Sequence, residues 1–471
     1  MSSDIYNLSA VELIKLYTNK KLSPVEVIKN IIQRVKTIDK KINSYVFIDE
    51  KNAIEEAEQS EKRWMQNSPK GKLDGVPTSI KDLLLTKDWP TLRGSKSVDK
   101  NIDWVDDSPV AARLKEAGAV LLGKTTTPEF GHRGTTQSPL TGITRNPWNL
   151  DCTSGGSSGG SASAVASGMG PLSIGTDGGG SVRIPCSFSG LFGIKPTFGK
   201  IPAWPLSPFG TIANLGPMTR SVMDGALLFS VISSPDWRDW HADTKMDSDF
   251  VEKLSEDIKG KKIAYCPDFG MKYAMKPNTI QAEVAEIVKN TVKQLEDSGA
   301  EVDQIEIEWA SDPKKAFHIL WTSGAAFLSR SFSEKQMQIL DPVFREFCEI
   351  GSQHSLFDRL EAEASRGSNG TVINKIFQKY DYIVGPTMPT TAFLADKLVP
   401  EGWGEDLFAW TPFTYPFNMT CHPAVSVNCG FSNGLPVGFH IIARAHEDGE
   451  AFVCAAAVEK IVDLLGEWPS L

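Results

Sequence analysis

Thr153-Ser-Gly-Gly-Ser-Ser-Gly-Gly-Ser-Ala-Ser-Ala-Val-Ala-Ser-Gly168, followed by Gly175-Thr-Asp-Gly-Gly-Gly-Ser-Val-Arg-Ile-Pro185, is the stretch on which the reading of this chain turns. Its glycine and serine density would suit a flexible linker. Apolar, strand-like residues at 171–174 separate the two clusters, however, and 161–167 is a small-residue helix pattern that lets backbones approach closely. Structural packing accounts for such a composition, and so does a ligand site. In a ligand site, glycines leave amide N–H groups open to cradle a phosphate or hold an oxyanion. The phosphate option expects G-x-x-x-x-G-K-[ST], and no lysine follows either cluster at that spacing; a G-x-G-x-x-G fingerprint is missing too.

Outward from this stretch, short apolar runs alternate with loops from Lys72 to about Met223. Residues 76–80, 119–122, 171–174 and 191–194 read as strands and 110–117 as a helix, which favours an α/β layer architecture. Farther on, 262–265 and 382–384 read as strands. Residues 424–430 and 437–442 flank Asn433-Gly434, a strong hairpin signal, and 453–465 reads as a closing helix. At the other end, Ser9 with Glu12 and Ser23 with Glu26 have capping-box spacing, and Pro24 sits at the favoured first helical position. Ile28, Ile31, Ile32, Val35 and Ile38 then form an apolar stripe at helical spacing, and 50–65 reads as a polar helix. These signals predict one domain over 1–471: a helical layer over 1–66 and an α/β core over 67–471. The polar, charged stretch 233–257 is expected to be a surface excursion.

Composition narrows the class. Of 471 residues, 41% are hydrophobic and 23% charged, as in globular proteins. A net charge of −9 argues against a general nucleic-acid binder, which needs clustered Lys and Arg. The N-terminal lysines lie on a helical pattern and read as a solvated face. Seven scattered cysteines without a C-x-x-C pair suggest neither a disulfide framework nor a zinc site, and fit a reducing compartment. Asp4 and Glu12 interrupt any basic-then-apolar leader pattern. No apolar run approaches the ~18 residues of a membrane span. The expectation is a cytoplasmic protein with no membrane partner, no metal and no cofactor. Its oligomeric state is open, a homodimer being admissible.

Acyl transfer needs a nucleophile beside backbone donors and a base to activate it. Ser181 follows three consecutive glycines, so its hydroxyl and the preceding amides can face one carbonyl. None of the seven histidines lies in a motif that announces a Ser-His-Asp triad. A lysine can replace histidine if desolvation lowers its pKa from about 10.4. Lys81, after the β-prone run Val76-Pro-Thr-Ser-Ile80, suits that role, although a lysine in such a stretch is more often a surface residue.

The two Gly/Ser clusters and Gly193-Ile-Lys-Pro-Thr197 together strongly resemble the amidase signature family. Further similar segments are Asp74-Gly-Val-Pro-Thr-Ser-Ile-Lys-Asp82, Gly123-Lys-Thr-Thr-Thr-Pro-Glu-Phe130, Thr144-Arg-Asn-Pro-Trp148, Thr411-Pro-Phe-Thr-Tyr-Pro-Phe-Asn418 and Gly434-Leu-Pro-Val-Gly438. The resemblance spans nearly the whole chain. It implies an α/β fold with a large mixed β-sheet core covered by helices on both faces. It also implies hydrolysis of a small-molecule amide by Ser181, with Ser157 as proton relay and Lys81 as general base and acid. The amides of Gly178, Gly179, Gly180 and Ser181 would form the oxyanion hole, and Thr176, Asp177 and Arg183 would hold the loop. Gly131, Trp204, Phe209 and Trp410, with Phe413, match pocket-wall segments, so 203–212 and 408–417 are expected to set selectivity. Gly178, Thr126, Cys186, Ser189 and Cys421-His422 depart from the common pattern without touching the three catalytic positions. Two alternatives accompany this reading. One is the glutaminase subunit of the tRNA-dependent amidotransferase, whose Ala-Gly-Tyr-Tyr-type segment is not apparent between Leu328 and Gly351. The other is a non-catalytic ligand-binding relative, against which the intact Lys81, Ser157 and Ser181 argue.

Overall fold

The computed structural model describes residues 5–243 and 249–471. Both capping boxes form: Ser9 with Glu12 starts α1 (Ala10–Thr18), and Ser23 with Glu26 starts α2 (Pro24–Ile42). The isoleucine and valine stripe of α2 is buried, packing on Ala53 and Ala57 of α3 (Glu50–Met65) and on Val120 and Leu122 of the neighbouring sheet. A first group of strands follows: β1 (Tyr45–Ile48), β2 (Pro77–Lys81) and β3 (Val120–Thr125), with α4 (Pro109–Glu116) between the last two. Two short ribbons, β4 (Gln137–Ser138) with β5 (Gly142–Ile143) and β6 (Arg145–Asn146) with β7 (Asn149–Thr153), lead into α5 (Gly159–Ala166). Helix α5 is wholly buried, and a Cβ at Gly160 would collide with the backbone of Thr126. The run of small residues is therefore a requirement of close approach, and the linker reading is excluded.

The chain continues through β8 (Leu172–Asp177), α6 (Arg183–Ser189), β9 (Phe192–Lys195), β10 (Asn214–Thr219), α7 (Val222–Ile232), α8 (Phe250–Lys253), β11 (Lys262–Tyr265), α9 (Ala282–Asp297) and β12 (Glu301–Gln304). A helical group, α10 (Pro313–Ser329), α11 (Glu334–Gln338), α12 (Pro342–Ser352) and α13 (Leu356–Ile376), precedes β13 (Tyr382–Pro386) and α14 (Tyr415–Met419). The hairpin β14 (Ala424–Ser432) and β15 (Leu435–Ala443) turns at Asn433-Gly434, and α15 (Asp448–Val462) follows it.

Eleven strands form one mixed sheet in the order β1-β3-β2-β8-β10-β9-β14-β15-β13-β11-β12. Side chains alternate across it, as strand geometry demands. Ile263 and Tyr265 of β11 join one core with α7, α9 and α15, whereas Ala264 and Cys266 join another with α10, α12 and α13. Likewise Tyr382 and Val384 face the first core and Ile383 the second, so helices cover both faces. The α/β expectation with a mixed sheet holds. Among the described residues no helix is long and apolar enough to cross a membrane.

Three local readings change. The closing helix starts at Asp448 and ends at Val462, because Asp448 and Glu450 stabilise its first turn. Strand β10 was not expected, since Gly216 and Pro217 weaken a strand pattern. Its place between β8 and β9 supplies the pairing, and Gly216 lets the Ile194 carbonyl come close. The stretch 233–257, of which 244–248 lie outside the described residues, is only partly an excursion. Trp237 and Trp240 are exposed, but Asp236 and Asp239 are buried and Phe250 packs on Phe229 and Phe452.

Candidate active site

Strands β2 and β8 are parallel, with Ile80 beside Ile174, so the carboxyl ends of both open at the same edge. Lys81 ends β2; Thr176 and Asp177 end β8, and the glycine loop begins one residue later. A site at the carboxyl ends of neighbouring strands is the usual outcome of such a layout. Ser157 and Ser158 reach the same point from the start of α5, through a cis peptide between Gly156 and Ser157.

Lys81 is fully buried. Its Nζ lies 2.7 Å from Ser157 Oγ, 2.9 Å from Ser158 Oγ and 2.8 Å from Thr176 Oγ1. Burial pushes its pKa well below the ordinary lysine value, and the Asp177 carboxylate opposes this only in part. All three contacts are neutral hydroxyls, so an ammonium here has no counter-ion in contact. The arrangement favours the free amine, the form that accepts a proton. The two serines differ: Ser158 Oγ donates to the Thr176 carbonyl (3.1 Å) and accepts from the Thr176 N–H (3.2 Å). Its proton is committed, whereas that of Ser157 has no such acceptor among the described residues. Thr176, expected only to hold the loop, touches the lysine directly.

The loop is clamped from below. Arg183 donates through Nε to Asp177 Oδ2 and through Nη2 to Asp177 Oδ1, both at 3.0 Å. Arg183 also donates to Asn418 Oδ1 (2.6 Å) and the Thr414 carbonyl (2.9 Å), and Asn418 Nδ2 returns to Asp177 Oδ1 (2.9 Å). Burial alone would raise the pKa of Asp177, but the Arg183 guanidinium and these hydrogen bonds hold it below the usual carboxylate range. The carboxylate also accepts from the N–H groups of Gly180 (2.7 Å) and Val182 (3.1 Å). This corrects one expectation: the Gly180 amide is engaged by Asp177 and is no free oxyanion donor. Among the described residues, the amides of Gly178, Gly179 and Ser181 have no hydrogen-bond partner. Gly180 has φ +126°, and a Cβ there would collide with Thr414, whose Oγ1 donates to the Gly179 carbonyl (2.7 Å).

Ser181 is 6% exposed and opens into a narrow cavity. Its walls include Gly179, Ile184, Phe317, Trp321, Phe347, Phe408 and Trp410, with His132 and Arg133 at one side. Arg133 is neutralised by Asp341, Nη1 to Oδ1 at 3.2 Å. Burial pushes His132 down to about 3, and its Nδ1–H donates to the Glu129 carbonyl (2.7 Å), which makes it a neutral ring. Trp410 lines this cavity. Trp204 does not line it, Phe413 packs on Phe269 instead, and Phe209 stands behind the wall, stacked on Trp321. Gly131, with φ +71°, lies against Leu83 and Ser157: a Cβ there would sit 3.2 Å from Ser157 Oγ.

The wall residues Phe317, Trp321 and Phe347 were missed because α10 and α12 carry no motif; only the i, i+4 spacing of Phe317 and Trp321 hinted at a shared face. The Gly178 departure has a physical reason, since a Cβ at 178 would meet Trp321 Cζ3 at 2.7 Å.

The family model for amidases matches residues 26–452. An acylamidase of Rhodococcus erythropolis is 34% identical over 97% of this chain and 96% of its own length. A Glutamyl-tRNA(Gln) amidotransferase subunit of Staphylococcus epidermidis is 32% identical over 98% of this chain and 99% of its own. Among solved structures, a bacterial aryl acylamidase of the amidase signature enzymes superposes with a TM-score of 0.91 at 28% identity, covering 99% of this chain and 100% of that one.

Proposed function

The chain belongs to the amidase family, whose members hydrolyse amide carbon–nitrogen bonds, and we propose that it does so on hydrophobic small-molecule amides through an acyl-enzyme on Ser181. In this mechanism Lys81, as the free amine, takes the Ser157 proton while Ser157 takes that of Ser181. The Ser181 oxygen attacks the amide carbonyl, and the oxyanion is met by the amides of Gly178, Gly179 and Ser181. Each such donor contributes about 2.7–4 kcal/mol to transition-state stabilisation. The proton on Lys81 then returns through Ser157 to the leaving nitrogen, and an amine or ammonia departs as the C–N bond breaks. Water repeats the sequence on the acyl-enzyme, releasing a carboxylic acid and restoring Ser181.

The observation that carries this reading is the placement of a fully buried Lys81 amine against Ser157 with no carboxylate in contact. The aromatic walls support a hydrophobic acyl group over the zwitterionic side of glutamine, because aromatic linings favour apolar ligands. We therefore assign the chain to free-standing amidases rather than to amidotransferase subunits. We also read 1–471 as one domain, supported by a sheet that draws strands from Tyr45 to Ala443. The seven thiols, all free, support a reducing, cytoplasmic setting.

A fluorophosphonate probe should label Ser181, and the protein alone should cleave hydrophobic anilides. Labelling elsewhere would remove Ser181 as nucleophile. Ammonia release from glutamine only with partner subunits would move the chain to the amidotransferases.

A further inference from the structure

Trp321 occupies a singular position in the cavity. It is 5% exposed and lines the same cavity as Ser181. On one side it lies over the glycine loop, where a Cβ at Gly178 would meet Cζ3 at 2.7 Å. On the other its Nε1–H donates to the His132 carbonyl at 2.9 Å. Phe317, one turn earlier on α10, stacks at 5.4 Å and covers Gly179, where a Cβ would come within 2.6 Å of its Cζ. Behind Trp321 is not solvent but another ring: Phe209 stacks on it at 4.0 Å and 15°. Phe209 in turn is held by the close approach of Gly324.

We propose that Trp321 is the end wall of the acyl-binding part of the cavity and sets the longest acyl group the enzyme accepts. The inference rests on the reading of Ser181 as nucleophile. Its reason is geometric. The ring is fixed at both edges, by a hydrogen bond and by contact with the loop, so it cannot swing aside without losing the bond and overlapping its neighbours. Space beyond it, towards Phe209, becomes available only when the indole is removed. A buried wall of this kind discriminates by size, each extra methylene that fails to fit costing roughly 10-fold or more in kcat/KM.

The test is a series of 4-nitroanilides of acetate, butanoate, hexanoate and decanoate, run beside acetamides of amines of rising length. Trp321→Ala should move the length at which kcat/KM falls by at least two carbons in the acyl series, and leave the amine series unchanged. Trp321→Phe should give a smaller shift in the same direction, and carries the test if the alanine variant does not fold. Fluorophosphonate titration of Ser181 reports folding and active-site integrity in each variant. An unchanged acyl-length profile with full Ser181 titration would overturn the inference, and so would a shift confined to the amine series or an equal loss at every length. Failure of wild-type Ser181 to titrate would instead sink the nucleophile assignment, a separate outcome.

Discussion

Lys81, Lys124 and Lys195 are all fully buried, yet their surroundings differ. Lys124 donates to the Leu84 carbonyl and Thr86 Oγ1, and burial pushes it down to about 8. Lys195 donates to the Pro196 carbonyl (2.7 Å), again pushed down to about 8 by burial. Of the three, Lys81 alone meets serine hydroxyls. Replacing it with alanine should lower anilide hydrolysis by about 10²–10⁴-fold, the usual worth of a positioned acid–base group. Hydrolysis of an activated ester, whose leaving group needs no proton, should fall much less; equal losses would count against Lys81 as the leaving-group acid. The pH dependence follows from the lowered pKa. Below it Lys81 is an ammonium and cannot accept the Ser157 proton. The kcat/KM for an anilide should therefore fall as pH falls through a value well under that of free lysine, and a pH profile without this limb would remove Lys81 as the base. Sequence composition alone could not separate this buried base from a surface lysine, because burial is made by segments 76 and 95 positions away, at Ser157 and Thr176.

At the scale of the element, the glycine loop is a strand end held by an ion pair. Asp177 and Arg183 are both without exposed side-chain surface, and α14 supplies Asn418 to complete their bonds. Removing the guanidinium by Arg183→Leu leaves a buried carboxylate unpaired, which costs about 3–5 kcal/mol. The chemical-denaturation midpoint should drop accordingly, while Arg183→Lys should recover only part of the loss because one point charge cannot make the forked contact. The sign with pH is fixed by the depressed Asp177 pKa. Its stabilising contribution is present above the unfolded value of 3.8 and is lost as pH falls through the lower folded value. Acid unfolding of the wild type should thus steepen below the ordinary carboxylate range, and Arg183→Leu should lack that component. The motif Gly-Thr-Asp-Gly-Gly-Gly-Ser-Val-Arg announced both partners within seven residues. Asn418 and Thr414 come from more than 230 positions away, and their roles appear only when α14 is laid against the loop.

For the molecule as a whole, the cavity is a seam between the sheet edge and the helical group α10–α13. That group is tied to the catalytic side by a buried cluster: Arg133 Nη2 lies 3.1 Å from Asp341 Oδ2, and the Asp341 N–H, at the start of α12, donates to the Glu129 carboxylate. Asp341→Ala leaves Arg133 buried without its partner. Opening of α10–α13 should become easier by about 3 kcal/mol, a roughly hundredfold faster amide exchange across 313–376, with the central sheet unchanged. Uniform acceleration over all elements would show that the tie serves global stability and not this seam.

The chain's own pattern determined the capping boxes, the strands that alternate across the sheet, the Asn-Gly hairpin and the glycine-serine stretch that carries the chemistry, because each is a local matter of periodicity, backbone freedom or spacing. Only the tertiary structure decided which lysine is buried against serine hydroxyls, which loop amides stay free, and which rings close the cavity. Those properties arise where residues distant in sequence exclude water from one another or compete for the same hydrogen bond, as Asp177 takes the Gly180 amide and Trp321 takes the space above Gly178.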